Sequence, residues 1–288
     1  MTFTRLLVLG ETHAPENLAA HLASAGVLAV ETGTENHVPA SMEGTALQVS
    51  TSGATRLLNA GVELDLLSPG PGWLATVPGH LLGRRLICIR LGKLPSAWDG
   101  PGTFHLAEQE YGTHGFETNY PDPAAFLRKF NAPSYRSPNL QFGLHVIAST
   151  HVKYTDRYRV FITHGQMTAS TRMAAKPHPR RHRQFFEGTA PDQTKAAEHF
   201  GQVVADATAW NQPPGFSIDV GTAPDGSWQL IKAAPAWAAD PLEANPSGVV
   251  ASILAAQEPG LGRWKWVPDE LFQRILMPAY PASEATSN

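Results

Sequence analysis

At 288 residues, with 42% hydrophobic and 16% charged side chains, the sequence fits a soluble globular protein of one large domain or two to three small ones. Its net charge of −3 gives no signal for nucleic acid, and its single cysteine, Cys88, excludes an internal disulfide framework and any cysteine-cluster zinc or iron–sulfur site within one chain. No run reaches the roughly 18 apolar residues of a membrane span, and the N-terminus lacks a secretory pattern, so a cytoplasmic protein without a membrane partner is expected. Residues 6–10 read as a short apolar strand. Leu18, Leu22 and Ala25 recur at helical spacing and predict a helix over 15–25 ending near Gly26, with a second strand at 27–30. Strand, helix, strand at this spacing implies a βαβ unit and a parallel sheet. The Gly10 turn lacks the GxGxxG pattern, so no dinucleotide site is placed there. A run at 46–50 and a helix at 54–60 continue the alternation, and Pro69-Gly70-Pro71-Gly72 closes it.

Cys88 sits in the apolar run Leu86-Ile87-Cys88-Ile89 as a packed thiol. Gly100-Pro101-Gly102 reads as a hinge-like break, residues 123–130 as a short helix and 144–148 as a strand. Residues 153–162 are strand-like, His164-Gly165-Gln166 is a hairpin turn, and 194–210 is an amphipathic helix with Ala197, Phe200, Val203, Val204 and Ala207 on one face. Between them, 172–183 holds five cationic residues, no acidic ones and two prolines, which predicts a basic loop, either solvated or a lid for an anionic ligand. Pro179 disrupts the helix that would align His178 with His182 as metal ligands. A further helix is expected at 246–256, and a flexible polar tail from 281. Aromatics near Trp264 and Trp266 read as exposed and leave room for a homodimer surface.

Residues 216–237 carry the most chemistry. Residues 217–220 and 228–233 alternate polar and apolar around Pro224-Asp225-Gly226, which is a β-hairpin pattern. A two-residue Asp225-Gly226 loop puts Asp219 directly across from Lys232. Aspartate is depleted in strands, so Asp219 is either a rim carboxylate or one that needs a cation.

Ile218-Asp219-Val220-Gly221, Asp225-Gly226-Ser227-Trp228 and Pro235-Ala236-Trp237 are similar to the metal-binding hairpin of ATP-grasp ligases, in the clade named for two arginines and a lysine. The resemblance implies an α/β (α+β) ATP-grasp fold: an N-terminal βαβ-type pre-ATP-grasp domain over 1–90, and an ATP-grasp domain over 91–280 in two subdomains, 91–152 and 153–280. It also implies ATP and magnesium as cofactors and Asp219 as a metal ligand. Where that family has Glu and Asn as the other magnesium ligands, this chain has Lys232 and Ala234. Trp73-Leu74 with Val77-Pro78 and the arginines Arg84-Arg85 resemble the clade's boundary segment, and Trp264 to Asp269 its closing segment.

Residue by residue, the resemblance implies more. The family's phosphate-binding lysines align with Phe104 to Glu108 and with His114-Gly115-Phe116, where no lysine stands; Arg90 or Lys93 are substitutes. Val146, Ile147 and Ser149 fall where backbone groups meet adenine, and Lys153 just follows. Asp156-Arg157-Tyr158-Arg159 aligns with a Glu-Tyr-Arg strand, which makes Arg159 a phosphate or carboxylate clamp with Arg172 nearby, unless Arg159 serves as an ion-pair partner of Asp156 or Asp219.

Three functions remain open. The chain is a ligase relative whose Lys232 pairs with Asp219 in place of the metal, acting as a pseudo-ligase that binds an anion or a catalytic partner protein. Alternatively it is an active carboxylate–amine ligase, taking a small-molecule or peptide substrate, with metal ligands drawn from Asp240 or Glu243. The third is metal-free chemistry in the same cleft, for which no GxSxG, HExxH or P-loop is present.

Overall fold

The computed structural model describes residues 2–10, 15–34, 39, 41–70, 72–106, 119–130, 145–173 and 192–268. It forms two compact units, one of residues 1–86 with 152–266, the other of 87–151 with 267–288. In the first unit β1 (Arg5–Gly10) pairs in parallel with β2 (Ala29–Thr34) and β3 (Thr45–Gln48), in the order β2-β1-β3. Leu6, Leu7, Val8 and Leu9 are all buried, as a central parallel strand covered on both faces requires.

Helix Pro15–Ala23 joins β1 to β2, which makes this the expected βαβ unit. The second strand begins two residues later than 27, because Gly26 (φ 66°) ends the helix in a left-handed turn and residues 27–28 are taken up reversing the chain. Helix Thr51–Asn59 starts before residue 54 because the Ser50 Oγ accepts the Gly53 N–H at 3.0 Å, an N-cap.

The second unit is a sheet in the order β4-β7-β5-β6, formed by β4 (Leu86–Arg90), β5 (Gly102–Leu106), β6 (Asn119–Tyr120) and β7 (His145–Ser149). Its core joins Leu91, Leu94, Trp98, Phe104, Phe126, Val146 and Ala148. Gly102, expected in a hinge-like break, opens β5 instead; a Cβ there would lie 2.9 Å from Trp98 Nε1 and 3.1 Å from the Ser149 carbonyl oxygen. Helix Pro123–Phe130 is capped by Asp122, whose Oδ1 accepts the Ala125 N–H at 2.7 Å.

The chain then returns to the first unit as β8 (Asp156–Thr163), β9 (Gln166–Arg172), β10 (Gly215–Thr222) and β11 (Trp228–Pro235), in the antiparallel order β11-β10-β8-β9. Helix Thr194–Ala207 covers one face, with Gly201 against Val160. Helix Pro246–Ala255, capped by Asn245, covers the other. All eight residues of β10 are buried, which is why a charge on it must be paired.

The N-terminal sheet is tied to this segment by polar contacts. Gln257 both accepts from the Leu47 N–H (2.8 Å) and donates to its carbonyl (2.9 Å), acting as a substitute strand on the β3 edge. The Val49 N–H donates to the Trp237 carbonyl at 2.9 Å. Gly248 in the second covering helix touches the β9 backbone so closely that an added Cβ would overlap the Thr168 carbonyl. Gly248→Ala is therefore expected to destabilise the chain by about 1–3 kcal/mol, read as a lower midpoint in thermal unfolding.

One expectation changes. Trp264 is buried, and Trp266 packs edge-on against Trp237 at 5.1 Å between ring centroids, so neither supplies the exposed dimer surface. Glu108, His114, Gly115, Phe116, His178, His182, residues 174–183 of the basic loop and the tail from 281 lie outside the described residues.

Candidate functional site

The hairpin of β10 and β11 turns through three residues rather than two. The Gly226 N–H donates to the Ala223 carbonyl and the Ala223 N–H to the Ser227 carbonyl, each at 2.9 Å, with Gly226 left-handed (φ 84°). Asp225 Oδ1 accepts from the Ser227 N–H and hydroxyl, which fixes the loop. That loop alone would shift the register by one residue. A bulge corrects it: Val220 faces Leu230, Asp219 faces Lys232, and Ile231 is the extra residue. The expected pair is thus present although the expected turn is not. Arg84 holds the bulge by donating to the carbonyls of Leu230 (2.6 Å) and Ile231 (2.7 Å) and to the Tyr154 hydroxyl (2.9 Å).

At the middle of this hairpin Asp219 is buried between two cations. The Arg159 fork on β8 donates Nε to Oδ1 at 2.8 Å and Nη2 to Oδ2 at 3.0 Å, and Nη1 to the Asp240 carbonyl at 2.8 Å. Lys232 Nζ lies 3.5 Å from Oδ2. The Asp219, Arg159 and Lys232 side chains are 5%, 8% and 11% exposed. Burial works to raise the Asp219 carboxyl, but the charges of Arg159 and then Lys232, with their hydrogen bonds, outweigh it and hold the group below the ordinary carboxylate range. Arg159 is correspondingly raised: desolvation opposes its charge, and the Asp219 carboxylate overcomes that. The register sets this up, since Arg159 faces Asp219 across β8 and β10.

Arg172 belongs to a second cluster. Its Nε donates to Asp156 Oδ1 at 3.0 Å, the Tyr158 hydroxyl donates to Asp156 Oδ2 at 2.9 Å, and the Gln193 N–H donates to the Tyr158 hydroxyl. That contact to Asp156 is the main cause of the raised Arg172 guanidinium. Lys153 is exposed in the same unit.

Val146, Ile147 and Ser149 lie in the other unit, buried within β7 between β4 and β5. Arg90 and Lys93 are exposed in that unit. Within the first unit the structure therefore brings together Arg159, Asp219, Lys232 and the Asp240 carbonyl, and places Arg172 in a separate cluster. Sequence reasoning assigned no role to the Arg84 contacts or the Asp240 carbonyl, because both depend on contacts between segments far apart in the chain.

Residues 121–253 match the family model of an ATP-grasp domain, family 3 of the clade named for two arginines and a lysine. That segment of the chain is similar to an ATP-grasp domain. The chain is similar to the solved structures of the D-cycloserine synthetase DcsG (12% identity, 87% of this chain and 98% of that one, TM-score 0.49) and of D-alanine–D-alanine ligase from Bacillus anthracis complexed with ATP (10% identity, 88% and 96%, TM-score 0.46). A RimK domain ATP-grasp protein from Sphaerobacter thermophilus is 11% identical over 89% of this chain and 100% of that one, with a TM-score of 0.46. No curated protein matches the sequence.

ATP-grasp ligases use ATP and magnesium, so the fit of this hairpin to magnesium is a direct question. Magnesium takes about six hard oxygens in octahedral array. Here both Asp219 oxygens already accept guanidinium hydrogen bonds and an ammonium stands beside one of them. Ala234 offers no side-chain oxygen, and the Asp240 Oδ1 accepts the Leu242 N–H at 3.0 Å. Among the described residues no three His, Cys, Asp or Glu side chains are grouped to hold a metal, and no helix is long and apolar enough to cross a membrane. The residues around Asp219 do not fit magnesium.

Proposed function

We propose that this protein is a relative of ATP-dependent carboxylate–amine ligases that does not carry out magnesium-dependent ATP turnover at its hairpin. It acts as a pseudo-ligase, a binding or partner subunit for a carboxylate- or amine-bearing small molecule, a peptide or a catalytic partner protein. We place it in the cytoplasm, in keeping with its single cysteine. The observation that carries the reading is the Asp219 carboxylate neutralised twice over, by Arg159 at 2.8 Å and Lys232 at 3.5 Å. Acyl-phosphate formation needs a metal and cations placed to stabilise the transferred phosphoryl group, and loss of the metal position removes much of that stabilisation.

Calorimetric titration of ATP with magnesium tests this. Wild type is expected to gain no affinity from magnesium, and the double variant Lys232→Glu with Ala234→Asn to gain it. Magnesium-dependent ATP binding by wild type would overturn the reading. It would favour an active ligase, for which one feature speaks: the Asp240 carbonyl rests on Arg159, so an exposed carboxylate stands close to the same site. In that case Asp240→Ala should abolish the binding.

A further inference from the structure

The outermost strands of a sheet carry rows of backbone N–H and C=O groups that call for a partner. In the first unit, among the described residues, three outer strands have one built in. Gln257 bonds both backbone groups of Leu47 on β3. On β9 the Met167 N–H donates to Gln202 Oε1 at 2.8 Å, and Gly248 packs against the Thr168 carbonyl. On β11, Arg84 takes the carbonyls of Leu230 and Ile231 beside a bulge.

The fourth outer strand, β2, has no such cover. It ends the order β2-β1-β3, and apart from its ladder with β1 its hydrogen bonds, among the described residues, are those the Glu31 carboxylate accepts from Arg5 Nη1 at 3.3 and 3.4 Å. The usual protections of a free edge are also missing. Its six residues, Ala29-Val30-Glu31-Thr32-Gly33-Thr34, include no proline and no lysine, and they pair with β1 in unbroken register, without a bulge. Ala29, Glu31, Thr32 and Thr34 are exposed, as is Val27 just before them. Ala20 and Ala23 are exposed on helix Pro15–Ala23, which packs against this strand, and are small enough to let another chain approach.

We propose that β2 pairs with the β2 of a second copy of this chain, antiparallel across a twofold axis, joining the two three-stranded sheets into one. A second copy suits this edge because it brings an identical unprotected strand, so one contact satisfies both. Charge agrees: Glu31, the only ionisable side chain on the strand, is already paired with Arg5 of its own chain. Strand geometry fixes the register. Opposed residues in an antiparallel ladder are either both bonded or both non-bonded, and the two kinds alternate along a strand, so the axis between identical strands passes through a residue rather than between two. Of the two central residues, an axis at Glu31 would set carboxylate against carboxylate. An axis at Thr32 sets threonine against threonine, Glu31 against Gly33 and Val30 against Thr34, which is the favourable choice.

Sedimentation velocity from low micromolar to several hundred micromolar protein tests this on wild type, Thr32→Lys, Thr32→Val and Trp210→Ala, the last removing an indole that is 66% exposed beyond helix Thr194–Ala207. Wild type is expected to pass reversibly from monomer to dimer over this range, as a contact at the small end of specific interfaces does. Thr32→Lys, which puts two ammonium groups at the axis, should weaken the dimer about tenfold or more, while Thr32→Val and Trp210→Ala should leave it intact. An unchanged thermal midpoint shows that Thr32→Lys stays folded; where it falls, Thr34→Lys near the end of the strand is read in its place. A wild type that stays monomeric throughout overturns the proposal. So does a dimer that survives the lysine variant, one lost in Trp210→Ala, or growth beyond the dimer, which a closed twofold contact does not allow.

Discussion

Asp219→Ala is expected to lower stability by about 3–5 kcal/mol, because it removes the single carboxylate from a buried group of two cations and leaves Arg159 facing Lys232 uncompensated. Arg159→Met should cost nearly as much, since the carboxylate then keeps one ammonium at 3.5 Å and loses both short hydrogen bonds. Lys232→Met should cost far less, because the Arg159 fork still satisfies both oxygens. This order, with Asp219 and Arg159 large and Lys232 small, is read by urea unfolding at neutral pH; equal losses in all three would contradict the asymmetric pairing.

The same carboxylate sets an acid limit. Its pKa is lowered in the folded chain, so its contribution is fully present above the unfolded value of about 3.9 and is lost as pH falls through the folded value. Wild type should therefore lose stability below about pH 4 more steeply than a variant with Asp219 and Arg159 both replaced by apolar residues.

Trp237→Ala is expected to cost about 3–5 kcal/mol as well, for a different reason. The indole is fully buried in the core shared by β1, β3 and helix Pro246–Ala255, it packs edge-on against Trp266, and its Nε1 donates to the Leu67 carbonyl at 2.8 Å. Truncation leaves a cavity and an unpaired carbonyl at once. Trp237→Phe keeps most of the volume and should cost only about 1–3 kcal/mol, mainly the orphaned carbonyl. Amide exchange distinguishes local from global loss: protection should fall in β3, whose following residue Val49 donates to the Trp237 carbonyl, as well as in the hairpin. Loss confined to the hairpin would mean that Trp237 does not join the two segments.

Much of this was legible in the residues. The buried run at Leu6 to Leu9, the period of the helix at 194 and the alternation either side of Asp225 are local patterns, set by side-chain spacing along one element. The site was legible only in part. Asp219 and Lys232 were placed opposite each other through a turn that the chain does not adopt, and the Ile231 bulge restored the pair. Bulges depend on what grips the displaced carbonyls, here Arg84, which lies 146 and 147 positions before the residues it holds. The choice between clamp and ion pair for Arg159 likewise required the β8–β10 register, which joins strands separated by a helix and a long connection.

The sequence by itself determined the elements, the βαβ start, the hairpin and the replacement of two expected metal ligands by Lys232 and Ala234, because each of these is carried by residues close together in the chain. Tertiary structure alone decided that Arg159 occupies both oxygens of Asp219, that Trp264 and Trp266 turn inward, and that residues 1–86 form one unit with 152–266. Those outcomes rest on contacts between segments distant in sequence, such as Gln257 with Leu47 and Trp237 with Leu67. Their free energy comes from burying and satisfying polar groups together, which no local pattern encodes.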